Sequence, residues 1–199
     1  CVYFKKILIT SAITIISLFT ISGCQSAMST THKNEKYTVV KNEWPLRFQK
    51  HSFSARCYDT VGCKVLYSDF YHIKKEENEA SPPLVNDQEQ ESWTKMPYGG
   101  IDNFPPAAIV SWRSKDGAAH QEKIDIADIF KDQKILHNVK EEEIPVGAKI
   151  TTPDIILVVN NRTINVYMKA YIPLKEPRIP GNKYSTHVNE LVLAYSHTY

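Results

Sequence analysis

Two β-strands and a tight turn are encoded in one stretch of the sequence, Asp154-Ile155-Ile156-Leu157-Val158-Val159-Asn160-Asn161-Arg162-Thr163-Ile164-Asn165-Val166-Tyr167-Met168-Lys169-Ala170. In its second half Ile164, Val166 and Met168 alternate with polar or amphipathic residues, which is the period of a strand with one buried face. Asn160 and Asn161 tolerate the positive φ angles that tight turns need, so they predict a turn. The stretch therefore predicts an antiparallel hairpin.

Similar signals recur along the rest of the chain. Ser114-Lys115-Asp116-Gly117 predicts a second hairpin turn, between an apolar run at 107–112 and a return strand at 120–124. Asp125 is placed to cap a helix of one or two turns at 125–130. Further strands are predicted at 37–40, 46–57, 64–67 and 191–195. These elements predict a mainly β fold, either a β-sandwich or a β-rich α+β domain, with antiparallel hairpins and one short helix.

The segment from residue 74 to residue 106 contains no clear strand or helix pattern. Its first half is charged and polar, which indicates a solvated chain. Its second half combines Trp93, Tyr98 and Phe104 with several prolines and glycines, a composition that suits a surface for docking a partner. Loops this long inside a domain are usually functional or disordered, so we predict one long loop here.

Residues 1–23 have the organisation of a secretory signal peptide. Lys5 and Lys6 form a positive start, an uncharged apolar run covers 7–21, and Ser22-Gly23-Cys24 ends it with small residues. This ending resembles the lipobox of bacterial lipoproteins, in which the cysteine carries lipid. The alternative is an uncleaved anchor helix, for which the apolar run is short. We expect lipid on Cys24, a flexible tether at 24–36 and a single β-rich domain at 37–199.

The charge balance gives no sign of a nucleic-acid partner. The formal charge of the chain is +2. Loss of Lys5 and Lys6 with the leader brings it to zero, because residues 1–23 contain no acidic residue. No basic run is interleaved with aromatic residues. We expect neither a nucleic-acid partner nor a cofactor.

Two cysteines remain for the folded part, Cys57 and Cys63. Asp59 and Gly62 between them are turn residues, so the chain is expected to fold back and bring the two thiols together. A disulfide is the interpretation that we favour, and it suits an oxidising compartment. The alternatives are a metal site, for which two thiols without nearby histidines are too few ligands, and a redox pair.

Sequence signatures of common enzyme classes are absent: the chain has no nucleophile elbow, zinc-protease helix, phosphate loop or dinucleotide fingerprint. The nearest approach to a catalytic set is Asp116, His120 and Asp125, close in sequence to Ser111 and Ser114. Such clusters are common on polar turns. The other histidines considered show no ligand spacing: His51, His72, His137 and His187. We predict that the protein is not an enzyme and holds no metal.

Four blocks of the chain carry a resemblance: His51-Ser52-Phe53-Ser54-Ala55-Arg56-Cys57 before a second cysteine, Ser111-Trp112-Arg113-Ser114-Lys115-Asp116-Gly117 with His120, Asp128-Ile129-Phe130-Lys131-Asp132, and Val159-Asn160-Asn161-Arg162-Thr163-Ile164-Asn165-Val166-Tyr167-Met168. They resemble a family of bacterial lipoproteins that confer immunity to lipase effectors of type VI secretion. The resemblance runs from about residue 51 to the carboxyl end. It implies a protein that binds a secreted lipase or phospholipase in the periplasm and blocks it. It carries over no catalytic residue.

The long loop is where we expect a partner to bind. Trp93, Tyr98 and Phe104 are candidate anchors, because aromatic residues dominate many interfaces. The acidic residues of the loop would form an electrostatic rim that steers a basic partner: Asp87, Glu89 and Glu91. The alternative is that the aromatic side chains fold back and cover an open sheet edge.

A second class of function stays open, that of an accessory envelope lipoprotein with a permanent protein partner. An exposed apolar patch would favour it. In either case Gln25 and Ser26 lack the aspartate that keeps typical lipoproteins at the inner membrane. By that resemblance, the periplasmic face of the outer membrane is the expected location, and the inner membrane is less favoured.

Overall fold

The computed structural model describes residues 37–39, 43–85 and 87–199. These residues belong to one compact unit. The predicted signal peptide at 1–23, the lipidation site at Cys24 and the tether that ends at residue 36 lie outside the described residues. Within the described ranges, no helix combines the length and the apolar character needed to cross a membrane.

The described chain is mainly β, which confirms the predicted fold class. The helix α1 (Ile126–Ile129) begins after Asp125, whose carboxylate accepts a hydrogen bond from Asp128 N at 3.1 Å, as predicted. Short 3₁₀ turns occupy Asp87–Ser92 and Glu141–Glu143. The strands are β1 (Tyr37–Val39), β2 (Lys50–Tyr58), β3 (Val61–Tyr67), β4 (Phe70–Lys74), β5 (Tyr98–Asp102), β6 (Ala108–Arg113), β7 (Ala119–Ile124), β8 (Lys149–Thr151), β9 (Asp154–Asn160), β10 (Thr163–Lys169), β11 (Ile172–Pro173), β12 (His187–Val188) and β13 (Leu191–Thr198).

Two larger sheets organise the strands. One has five strands in the order β13-β10-β9-β2-β5, and the other has four in the order β4-β3-β6-β7. Strand β1 pairs with β8, and β11 pairs with β12. Both predicted hairpins are present, β6 with β7 and β9 with β10, and Asn161 takes the positive φ of 52° that the second turn needs. The pairing of β2 with β9 is parallel, and no local pattern in the sequence predicted it.

The main core lies between the two larger sheets. Ile164, Val166 and Met168 on β10 are fully buried, as their alternation predicted. They belong to one apolar cluster with side chains from the four-stranded sheet, such as Val65 on β3 and Val110 on β6. A shared core of this kind is that of a β-sandwich.

The five-stranded sheet is covered on its other face as well. On β9, Ile156 and Val158 point away from the main core and form a second apolar cluster with Tyr58 and Trp93. The segment before β5 supplies this cover. Strand β9 is therefore buried on both faces, which explains why its sequence is a continuous apolar run.

The prediction of one long loop without strand or helix at 74–106 is wrong in part, because this segment contains a 3₁₀ turn and the strand β5. Strand β5 holds Gly99 and Gly100 in succession, which removes any alternating pattern from its sequence. It forms because its backbone pairs with β2, with Lys50 opposite Asp102 and Phe53 opposite Tyr98. That pairing partner is distant in sequence, so a local pattern could not reveal it.

The predicted disulfide joins Cys57 and Cys63, whose Cα atoms are 6.5 Å apart. Cys57 lies on β2 in the five-stranded sheet and Cys63 on β3 in the four-stranded sheet. The bridge therefore ties the two layers of the sandwich together where the chain crosses between them. Gly62, between the two cysteines, has φ 64°, and a Cβ at this position would lie 2.8 Å from the carbonyl oxygen of Glu77.

We expect the Cys57→Ala/Cys63→Ala variant to lose about 2 kcal/mol of unfolding free energy, because the closed loop no longer restricts the unfolded chain. Urea unfolding of the wild type with and without reductant measures the same loss independently. The variant itself is expected to be insensitive to reductant. A wild type that reductant leaves unchanged would contradict the stabilising role of the bridge.

Candidate functional site

Two of the sequence blocks that carry the family resemblance, 111–117 and 159–168, meet at one end of the sandwich, beside the two residues that follow the first block. The Trp112 indole donates to the carbonyl oxygen of Asn161 at 2.6 Å, and Lys115 N donates to the Asn161 side-chain oxygen at 2.9 Å. Asn161 N in turn donates to the carbonyl oxygen of Tyr58 at 2.9 Å. Lys115 also forms an ion pair with Asp59 at 2.8 Å. These residues hold turns together, and the blocks therefore specify the fold at this end.

The same end brings together Ser114, Asp116 and His120 from the set considered for catalysis. The Ser114 hydroxyl donates to the Asp116 carboxylate. His120 Nε2 lies 3.0 Å from the Ser114 oxygen, and it donates there because the hydroxyl proton is already directed at Asp116. His120 is thus not oriented to remove that proton, and Ser114 is buried.

The Asp116 carboxylate has its hydrogen-bond donors within the turn. Its carboxylate also accepts from Ala118 N at 3.1 Å and lies 3.7 Å from Arg162. The Ser114 hydroxyl, the Ala118 amide and Arg162 together lower the pKa of Asp116. Asp125 is engaged elsewhere as the helix cap. This cluster stabilises the β6–β7 turn.

An exposed group of rings and a methionine lies where the edges of the two larger sheets approach each other. We call Phe70, His72, Met96 and Tyr98 the aromatic patch. Strand β4, which carries Phe70 and His72, is an edge of the four-stranded sheet, and β5, which begins at Tyr98, is an edge of the five-stranded sheet. The Phe70 and Tyr98 rings stack with centroids 5.1 Å apart and planes at 12°. The patch therefore joins the two sheets at their edges.

Three of the patch side chains are open to solvent. Phe70 is 49% exposed, Tyr98 is 46% exposed and Met96 is 96% exposed. A depression of about 270 Å³ lies among them. It is also lined by Phe53 and by the next three residues of β2, Ser54 to Arg56. Exposed apolar side chains that surround a depression are typical of surfaces that bind another molecule.

Met96 has a backbone conformation that costs energy. Its φ is 56°, in the left-handed region that non-glycine residues avoid. Conformations of this kind cost on the order of 1 kcal/mol and are concentrated at functional sites. The exposed thioether of Met96 gains nothing from burial in return. A methionine presented in this way is suited to contact with an apolar partner surface, since its side chain adapts to the shape it meets.

His72 of the patch is linked through Tyr67 to a second neutral histidine, His51, in the interior. His72 Nε2 donates to the carbonyl oxygen of Tyr67 at 3.2 Å, and burial lowers the pKa of His72. His51 is fully buried. Its Nδ1 donates to the Asn103 side-chain oxygen at 2.7 Å, and its Nε2 accepts from the Tyr67 hydroxyl at 3.0 Å. Burial lowers the pKa of His51, opposed in part by the Asn103 hydrogen bond.

Trp93, predicted as a surface anchor, is instead buried, with an exposed fraction of 1%. Its indole donates to the Tyr58 hydroxyl at 2.7 Å. Its carbonyl oxygen accepts from the Ser54 hydroxyl at 2.9 Å and from the Arg56 guanidinium at 3.1 Å. Trp93 therefore folds back onto the protein, but it covers the outer face of the interior strands β2 and β9 and not an open sheet edge.

The other predicted residues are dispersed. Tyr98 belongs to the aromatic patch. Phe104 is half-buried against the main core, with its ring 5.9 Å from Phe48 and 5.5 Å from His51 between centroids. Glu91 is exposed on the 3₁₀ turn. The side chains of Asp87 and Glu89 lie outside the described residues.

Three residues of the patch were not predicted as candidates from the sequence: Phe70, His72 and Met96. One feature of the sequence could have indicated two of them. Phe70 and His72 are two residues apart on a short strand that follows the turn at Ser68 and Asp69, so their side chains point to the same side of that strand. The nearness of this strand to Tyr98 comes only from the tertiary fold. In the parts of the chain that the structure describes, no group of three His, Cys, Asp or Glu side chains is placed to hold a metal ion.

Comparisons of the chain with protein-family models, with curated proteins and with solved structures find no match. The aromatic patch is thus characterised by its own geometry: stacked rings, an exposed methionine and a depression between two sheet edges.

We expect Trp93→Phe to lower the unfolding free energy by roughly 1–3 kcal/mol, because the buried hydrogen bond from the indole to the Tyr58 hydroxyl is lost. Trp44→Phe is the matched control. The Trp44 indole is 42% exposed, so the change is expected to stay within about 0.5 kcal/mol. Urea unfolding measures both, and equal losses in the two variants would refute the buried role of Trp93.

Stability is expected to decrease as the pH falls below about 6.5. Folded His51 binds a proton less readily than unfolded His51, whose pKa is the ordinary 6.5. At pH values between the lowered pKa of folded His51 and 6.5, the unfolded state binds more protons than the folded state. The contribution of His51 to stability is therefore fully present above pH 6.5 and is lost as the pH falls through this window. His72 and His137 contribute in the same direction.

The His51→Gln variant tests the source of that pH dependence. Urea midpoints at pH 7.5 and pH 5.5 are compared within each protein, so that a general loss of stability in the variant cancels. The difference between the two pH values is expected to shrink in His51→Gln. An undiminished difference would exclude His51 as a main contributor.

Proposed function

We propose that this protein is a lipid-anchored binding protein of the bacterial envelope that neutralises a secreted lipase or phospholipase effector. The observation that carries the proposal is the aromatic patch, an exposed apolar surface on a rigid β-sandwich. The nature of the partner rests on the resemblance of four sequence blocks to immunity lipoproteins of type VI secretion. The lipobox-like Ser22-Gly23-Cys24 supplies the anchor.

The chemistry of the patch fits an enzyme that acts on lipid. Such an enzyme needs an apolar entrance through which acyl chains reach its active site. Phe70, Met96 and Tyr98 offer an apolar surface of matching character. Aromatic side chains in rigid positions bind with little loss of conformational entropy, and the stack of Phe70 on Tyr98 fixes two of them before binding. A partner held on this surface has its lipid entrance covered.

Two features support the proposed location. The Cys57–Cys63 disulfide is typical of proteins outside the cytoplasm. Gln25 and Ser26 after the expected lipid attachment site favour the periplasmic face of the outer membrane. An inhibitor tethered there meets an incoming lipase close to the phospholipid that the lipase attacks.

A second candidate function is an accessory envelope lipoprotein that binds a permanent protein partner. The exposed apolar side chains on β4 and β5 also favour this role, since permanent interfaces bury such surfaces. The two functions differ in one measurable consequence, because only an immunity protein abolishes phospholipid hydrolysis by its partner.

The test uses the full chain reconstituted in phospholipid vesicles and a purified lipase-like protein encoded beside its gene. Fatty-acid release from the vesicles is measured with increasing amounts of the chain. We expect stable binding and stoichiometric loss of hydrolysis. Binding without loss of hydrolysis would favour the accessory role, and no binding would refute the proposal for that partner.

We expect the Phe70→Ala/Tyr98→Ala variant to bind the lipase about tenfold more weakly or worse, because both changes remove interface area from the patch. Met96→Ala is expected to weaken binding to a smaller extent. Leu193→Ala is the control, since Leu193 is 53% exposed on β13, away from β4 and β5 in the strand order. Equal affinity of the double variant and the control would exclude the patch as the binding surface.

A further inference from the structure

A surface groove lies between residues 43–46 and residues 141–146. Its volume is about 340 Å³, within the range of sites that accept a small ligand or a few side chains. The buried residues Leu46 and Ile144 provide an apolar floor. The groove shares no lining residue with the depression in the aromatic patch, so it is a separate surface.

Two exposed apolar side chains line this groove. The Trp44 indole is 42% exposed and Val146 is 80% exposed. The His137 ring meets the indole edge-on, with centroids 5.5 Å apart and planes at 71°. Trp44 is therefore supported by a neighbouring ring while much of its own ring stays open to solvent.

The rim of the groove is acidic. Glu43, Glu141 and Glu142 line it and are exposed. Among the described residues, no lysine or arginine forms an ion pair with these three carboxylates. The ammonium of Lys175, which also lines the groove, donates a hydrogen bond to the backbone carbonyl of Glu142 at 2.7 Å. Among the described residues that line the groove, three carboxylates and one ammonium leave an excess of negative charge above an apolar floor.

We propose that this acidic groove binds a cationic segment of a partner protein, in which an arginine or lysine is flanked by an aliphatic residue. Three properties of an arginine side chain match the groove. Its planar guanidinium stacks on an indole face, its charge is attracted by the carboxylates, and its aliphatic stem covers the floor. The flanking aliphatic residue contacts Val146. Charge complementarity selects this occupant over a neutral or acidic segment.

Binding of a cationic segment in the acidic groove does not depend on whether the partner of the aromatic patch is a lipase, so it is tested without one. A blocked peptide of sequence Gly-Arg-Leu-Arg-Gly serves as the probe, and the same peptide with citrulline in place of both arginines is its neutral counterpart. The full chain carries 5-fluorotryptophan and is held in a non-ionic detergent. It contains three tryptophans, and of these Trp93 and Trp112 are buried, so their fluorine signals are internal references.

We expect the arginine peptide to shift the Trp44 fluorine signal in a saturable manner and to leave the other two signals in place. The citrulline peptide is expected to bind about tenfold more weakly or worse. Argininamide is expected to bind weakly as well, because it lacks the flanking leucine. Absence of a saturable Trp44 shift would overturn the proposal. Equal affinity for argininamide would also overturn it, since the groove would then be a site for small cations.

Charge-removing variants complete the experiment. Glu141→Gln/Glu142→Gln is expected to weaken peptide binding about tenfold, whereas Glu77→Gln/Glu79→Gln removes two exposed carboxylates from the segment after β4, which does not line the groove, and leaves the affinity unchanged. Unmoved Trp93 and Trp112 signals confirm that each variant is folded. An unchanged affinity in Glu141→Gln/Glu142→Gln would refute the role of the acidic rim.

Discussion

The chain crosses from the five-stranded to the four-stranded sheet between Tyr58 and Val61, and the rest of the sandwich depends on this crossing. Strands β2 and β3 on either side of it are each interior strands of their sheets, so their placement fixes the register of every neighbour. The Cys57–Cys63 bridge closes the crossing. The β9–β10 turn is fastened to it through the amide of Asn161, and the β6–β7 turn through the ion pair of Lys115.

The aromatic patch is a consequence of this arrangement. Strands β4 and β5 are the last strands of their sheets on the side where β2 contacts β4, so their side chains meet without a further strand to cover them. Edge strands with free backbone groups are usually protected by charge, bulges or covering segments. Here Phe70 and Tyr98 protect the edges by stacking on each other, and the same stack presents an apolar surface.

The buried segment before β5 explains why that surface is rigid. Trp93 is fixed by Tyr58, Ser54 and Arg56, all on β2. Because this segment leads directly into Met96 and Tyr98, the residues that hold Trp93 also position the patch. Two surfaces of different chemistry result, one apolar at the sheet edges and one acidic around Trp44.

Local sequence determined the elements whose causes lie within a few residues of one another. The turns at Asn160 and Asp116, the cap at Asp125 and the pairing of Cys57 with Cys63 were all predictable, because turn angles, capping and short loop closure depend on neighbouring residues. The tertiary structure alone decided that β2 pairs with β9 in parallel, that Trp93 is buried and that Tyr98 stacks on Phe70. Whether an aromatic side chain is an anchor or part of the core depends on which sheet face lies beneath it, and residues distant in sequence create that face.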